Sequence, residues 1–325
     1  MTTLKHIFWN PQEQRLRFLW RLLIFSLLFA AVVTVVQPAI LFLFPGLEDM
    51  KALATDVGFI KNAAIGEWGM ALSLMLVLVV IGRWVDKRPW ADYGFHFSRR
   101  WWLDLLFGLA LGAVLMTGIF LTEWQLGWVE ITSTFKSLDH LPFAVSILWP
   151  VALFIAVGIF EETLTRGYLL TNLAEMLNAR FWSRRTALVL AWLISSALFG
   201  VAHAGNPNAT VVSTLNIVVA GLLLGLGFVL TGDLAISIGL HITWNFFQGN
   251  VFGFPVSGTR TNKTSFITVA QHGPDAWTGG AFGPEAGIIG LIAIGAGALL
   301  LLAWVKWRYG AVRWQESIAT PPGVR

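Results

Sequence analysis

Three short motifs hold the side chains with which this chain could do chemistry. Glu161 and Glu162 stand together four residues before Arg166 in Phe160-Glu161-Glu162-Thr163-Leu164-Thr165-Arg166. His203 closes Phe199-Gly200-Val201-Ala202-His203, and His241 and Asn245 bracket His241-Ile242-Thr243-Trp244-Asn245. Each motif lies in or beside an apolar run, where an ionised group costs roughly 3 kcal/mol even on the lenient insertion scale, so each is a functional candidate. On a helix, Glu162 and Arg166 are placed i to i+4 with the acid first, the favourable order for an ion pair. Glu161 is then left without that partner. A carboxylate beside an imidazole can take a proton from water, and a His with an Asn can donate to a developing oxyanion. Together these groups are equipped to hydrolyse an amide inside a membrane. Each motif also has a plainer reading: an interfacial charge cluster, a satisfied helix-end His, and a polar pair that joins helices. Asp233, just before the span of the third motif, is expected to cap its helix.

Other intramembrane protease chemistries lack their residues. No His-Glu-x-x-His zinc helix occurs, since Ile242 follows His241 and Asn245 stands where a second His would be. Thr231-Gly232-Asp233 lacks the first Gly of a Gly-x-Gly-Asp aspartyl signature. Ser195 and Ser196 sit in an apolar helix with no Gly-x-Ser-x-Gly turn. The absence of cysteine excludes a thiol nucleophile and any Cys-ligated metal.

The elements that must position these groups are membrane helices. Of the 325 residues 56% are apolar and 12% charged, and the mean hydropathy is +0.69. That composition belongs to an integral membrane protein. A span needs about 20 apolar residues. Seven segments meet that test, with a more polar eighth, among 18–44, 63–82, 102–122, 142–160, 186–202, 211–231, 234–252 and 286–307. The fold class is therefore all-α and polytopic, one integral membrane domain over 1–325 with its motif-bearing core at about 142–252. The first span is too long for a signal-peptide core and is expected to be retained.

Eight spans place both termini on one side, and 17 of the 22 Lys and Arg fall on that side. They lie in the amino-terminal tail (Lys5, Arg15, Arg17, Arg21), the second loop (Arg83, Lys87, Arg88, Arg99, Arg100), the fourth loop (Arg166, Arg180, Arg184, Arg185) and the carboxyl tail (Lys306, Arg308, Arg313, Arg325). Cytoplasmic loops are enriched in such residues, so both termini are expected in the cytoplasm. The net charge of +4 is too small and too segregated to indicate nucleic acid. The basic residues are read as topology signals.

Gly108 with Gly112, and Gly221 with Gly225, form small-residue faces where helices can approach closely. The long loop 253–285 lies on the far side, either as a cover for the site or as a connector. Nineteen residues separate Glu161 from Arg180 and nineteen separate Arg184 from His203, so a helical hairpin would set Glu161 and His203 at one height. Residues 142–177 are too long for one straight span and must tilt, protrude, or break near Gly158 or Gly167.

EExxxR at Glu161 to Arg166, FxxxH at Phe199 to His203 and HxxxN at His241 to Asn245, in that order on successive spans, resemble the three motifs of the CPBP intramembrane protease family. The family includes type II CAAX prenyl endopeptidases, Abi proteins and bacteriocin-processing homologues. The resemblance covers about residues 145 to 250. Tyr93-Gly94-Phe95 and Gly283-Pro284-Glu285-Ala286-Gly287 are similar more loosely to bacterial members. Thr165 departs from the pattern, since members usually carry an aromatic there.

The resemblance implies that Glu161 activates a water with His203 assisting, that His241 and Asn245 stabilise the oxyanion, and that Glu162 and Arg166 hold the constellation in place. The family is often labelled metalloprotease. A zinc ion on Glu161, His203 and His241 would have three N and O ligands plus water, which suits the ion. The motifs do not demand it, and a reaction without a required cofactor is the favoured expectation. The expected partner is a peptide or protein substrate at the bilayer, with or without an attached lipid, and the expected location is a bacterial plasma membrane. The rival expectation is a non-catalytic immunity factor or scaffold that keeps these residues as helix contacts.

Overall fold

The computed structural model describes residues 6–43, 56–137, 141–178, 182–260 and 263–322. Lys5, Arg180 and Arg325, used above for orientation, lie outside the described residues. The helices are α1 (Phe18–Leu43), α2 (Asp56–Val80), α3 (Arg99–Gln125), α4 (Leu148–Glu162), α5 (Thr171–Leu177), α6 (Arg184–Ala202), α7 (Val211–Thr231), α8 (Ala235–Phe246) and α9 (Ile288–Tyr309). Seven helical stretches among the described residues are long and apolar enough to cross a membrane, and α8 is not among them. Even extended by the π-helical turn Phe247–Val251, α8 is short, and its face from Ala235 to His241 is buried by protein.

Strand pairing shows that α8 nevertheless crosses. Two short strands, β1 (Trp9–Asn10) and β2 (Arg15–Leu16), pair ahead of α1, while β3 (Val129–Lys136), which follows α3, pairs antiparallel with β4 (Ser265–Gln271), which follows α8. Val129 faces Gln271 and Lys136 faces Ser265, with a bulge between Ile131 and Ser133. Paired strands lie on the same side of a bilayer, so an even number of crossings must separate them. α4, α6 and α7 supply three, and α8 is the fourth. The all-α polytopic expectation holds for the spans, which are all helical, and the long loop adds one strand that pairs with β3 outside them.

Contacts among the remaining loops agree. On the side of the termini, Asn178 Nδ2 donates to Ala319 O at 2.8 Å and Gln315 Nε2 to Leu230 O at 3.1 Å. On the far side, Asn206 Nδ2 donates to Ser257 O at 3.0 Å.

Three of the basic residues read as topology signals are buried. Arg15 pairs with Glu175 at 2.6 Å, Arg21 with Asp86 at 2.8 Å and Arg88 with Glu175 at 2.5 Å. Their guanidinium groups tie the amino-terminal segment, the end of α2 and α5 together at one membrane face. Asp233 is a second correction. Leu234 occupies the N-cap of α8 without a side-chain cap, and Asp233 Oδ1 lies 2.6 Å from His96 Nδ1.

α3 packs along α8 at backbone distance. A Cβ on Gly108 would come within 2.4 Å of Ile236 O, and one on Gly239 within 2.4 Å of Leu105 O. The second glycine face behaves likewise, with Gly221 against Ser196 and Gly225 against Trp192 of α6. Both small-residue faces thus bring backbones together, as their spacing predicts.

Candidate active site

α4 carries the glutamate pair at its last two positions. The helix neither breaks at Gly158 nor stops at Gly167. It changes to π geometry over Thr163–Leu170 and resumes as α5, a local widening of the kind that recurs at functional sites. Through that turn Glu162 Oε1 still accepts from Arg166 Nη1 at 2.9 Å, both side chains being fully buried. Arg166 Nη2 donates to Gly221 O at 3.0 Å, and its guanidinium lies 4.5 Å from the centre of the Phe199 ring. The pair predicted from i to i+4 spacing therefore exists and is sealed from solvent.

His241 reaches both glutamates. Its Nδ1 lies 2.8 Å from Glu162 Oε1 and its Nε2 3.9 Å from Glu161 Oε2. Because Glu162 also accepts from Arg166, Nδ1 is the donor toward it and Nε2 is left facing the cavity. Glu161 is about a quarter exposed, and its Oε2 has no hydrogen-bond partner among the described residues.

His203, at the end of α6, has Nδ1 2.8 Å from Phe199 O. A carbonyl only accepts, so Nδ1 carries the proton and Nε2 is the free acceptor of the neutral ring. The structure brings Glu161, His203, His241 and Asn245 into the wall of one cavity of about 300 Å³. Glu162 and Arg166 stand behind that wall. Glu161 and His203 share the cavity, as the hairpin spacing predicts, without a direct hydrogen bond to each other.

Residues 142–247 match the family model described as type II CAAX prenyl endopeptidase Rce1-like. The matched segment holds all three motifs, and the match supports the resemblance to the CPBP, or CAAX protease, family. No curated protein and no solved structure matches the chain.

Several residues of the cavity come from outside the motifs. Glu67 of α2 and Ile294 of α9 line it, as do Asn206, Val256, Ser257, Thr259 and Glu285 from the far-side loops. Loop 253–285 is thus a wall of the cavity rather than a plain connector. Glu285 is buried, accepts from Ser257 Oγ at 2.8 Å and also takes the Gln248 side-chain amide and the Ser257 backbone N–H. Burial pushes its carboxyl above the ordinary range, against those donors and the nearby His203.

The sequence held a signal for Glu67, a lone carboxylate inside an apolar span. It belongs to no recurring motif, and so its place beside Glu161 is visible only in the fold. The zinc arrangement finds no support in this geometry. Among the described residues no three His, Asp or Glu side chains are grouped to hold a metal ion, and Glu161, His203 and His241 do not form such a set.

Proposed function

We propose that this protein is an intramembrane endopeptidase that cleaves a peptide bond of a membrane-associated peptide or protein with a glutamate-activated water and no required metal. One observation carries the reading. Glu161, with an oxygen that has no hydrogen-bond partner, lines the same cavity as His203, His241 and Asn245, while Glu162 and Arg166 are bonded behind it. Helix glue would leave its polar groups paired, which weighs against a purely structural role.

In this reading a water shared by Glu161 and His203 Nε2 loses a proton to Glu161 as its oxygen attacks the carbonyl carbon. The negative charge formed on the carbonyl oxygen is met by Asn245 Nδ2–H and by His241 Nε2–H. His241 can donate there only as the imidazolium. Collapse of the intermediate breaks the C–N bond, and the proton held by Glu161 passes to the leaving amine.

Arg166 holds Glu162 in place, and so orients His241. The protein would lie in a bacterial plasma membrane with both termini cytoplasmic. The test is cleavage of a model membrane peptide by purified protein. Turnover that disappears in Glu161→Gln supports the assignment, and wild-type turnover in that variant rejects it.

A further inference from the structure

One carboxylate of the cavity has no task in the hydrolysis proposed above. Glu67 is the one acid between Asp56 and Asp86, half-buried in an apolar helix where an ionised side chain is costly. Among the described residues it accepts no hydrogen bond and forms no ion pair, so helix pairing does not account for it. No other described side chain of α2 lines the cavity.

The chain is tethered on both sides of Glu67. Gly66 O accepts from Gln37 Nε2 of α1 at 3.2 Å, and Trp68 Nε1 donates to Ala152 O of α4 at 3.0 Å. α4 presents Phe154, Val157 and Glu161 to the cavity, one stripe at i, i+3 and i+7. Glu67 and Glu161 are thus walls of one space of about 300 Å³, near enough for their charges to interact yet not joined by a hydrogen bond. The other titratable side chains that line it are His203, His241 and Glu285. Two carboxylates in one small cavity can divide the proton work, one as base and one as acid. An amide nitrogen needs that acid, because it is a poor leaving group until it takes a proton.

We propose that Glu67 is a second catalytic carboxylate, the general acid that delivers a proton to the nitrogen of the scissile bond. The proposal rests on the peptidase reading. Glu161 takes a proton from the water as the new C–O bond forms. On collapse the C–N bond breaks, its electron pair stays with nitrogen, and nitrogen takes the proton of the Glu67 carboxyl. Glu67 leaves that step ionised and is refilled by the proton on Glu161. The proton drawn from the nucleophile thereby reaches the amine by relay, and no other reagent is consumed.

The test varies the leaving group. Purified protein in detergent is given two substrates with the same acyl side, one an arylamide and one an aryl ester. An arylamine leaves with a proton and a phenolate leaves without one, so a general acid speeds the first and not the second. In Glu67→Gln the ratio of arylamide to aryl-ester kcat/KM is expected to fall at least about tenfold, a conservative threshold for removing a general acid, and Glu67→Asp is expected to recover part of it. Gln keeps the shape of Glu, so a purely structural role would lower both substrates alike.

A smaller fall in the ratio, equal losses on both substrates included, overturns the proposal. Glu161→Gln keeps that failure apart from failure of the peptidase reading. An inert Glu161→Gln beside a Glu67→Gln with the wild-type ratio overturns the acid role alone. A Glu161→Gln protein that still cleaves the arylamide, or a wild type that cleaves neither substrate, overturns the peptidase reading and the acid role with it.

Discussion

Replacing each glutamate of the pair in turn separates chemistry from architecture. Glu162→Ala removes the one carboxylate that accepts from both Arg166 at 2.9 Å and His241 at 2.8 Å, in a place with no solvent access. Breaking a buried ion pair from one side costs about 3 to 5 kcal/mol, because the stranded charge keeps its desolvation penalty. Arg166 would still have Gly221 O, Thr165 Oγ1 at 2.7 Å and the Phe199 ring, which argues for the lower end of that range. At roughly 1.5 °C per kcal/mol for a chain of this size, a loss of about 3 kcal/mol lowers Tm by about 4 °C.

Glu161→Gln is different. The lost oxygen has no hydrogen-bond partner and lies 3.9 Å from His241, so stability should change by less than about 0.5 kcal/mol. Its activity should fall by at least about a hundredfold, the lower bound for removing a general base. The measurement is thermal melting in detergent beside peptide cleavage for both variants. A Glu162→Ala protein with unchanged Tm and no activity, next to an active Glu161→Gln, would refute the division of roles.

Three further outcomes follow from other parts of the fold. Purified protein treated with a chelator should keep its peptidase activity, and activity lost and then restored by added zinc would place Glu161, His203 and His241 in a metal site after all. The raised Glu285 carboxyl gives stability that is fully present in acid, below the ordinary carboxylate range near 4.3, and is lost as pH rises through its elevated folded value. Glu285→Gln should therefore flatten the Tm profile between acid and neutral pH, and an unchanged profile would exclude that residue as its source. Gly239→Leu should cost about 1 to 3 kcal/mol or more and depress activity by moving α8 off α3, since even a Cβ there meets Leu105 O at 2.4 Å; a fully active, equally stable variant would contradict the close packing.

Much of the site could be read from residue type and spacing because its recognition rests on local geometry. Glu162 and Arg166 pair within one helical turn, and the apolar runs around His203 and His241 leave few places for them other than a shared interior. The spans are legible for the same reason, since composition alone decides them. What escaped depends on distant partners. The pairing of Val129 with Gln271 joins segments more than a hundred residues apart, and nothing in either names the other. Asp233 reads as a cap from its neighbours, yet His96 from another loop claims it. Arg15, Arg21 and Arg88 look like topology signals alone until Asp86 and Glu175 are brought to them. Glu67 lies in the cavity only because α2 packs against α4.

The strand pair across the far face also sets a schedule for biogenesis. Chains are made and inserted from the amino terminus, and β3 waits through four further crossings before β4 exists to join it. Glu161, His203, His241, Ser257 and Thr259 all precede β4 in the chain, and only Glu285 of the cavity's far-side loop follows it. A chain that stops before Glu285 therefore has its strand pair but leaves that stretch of the cleft wall unbuilt.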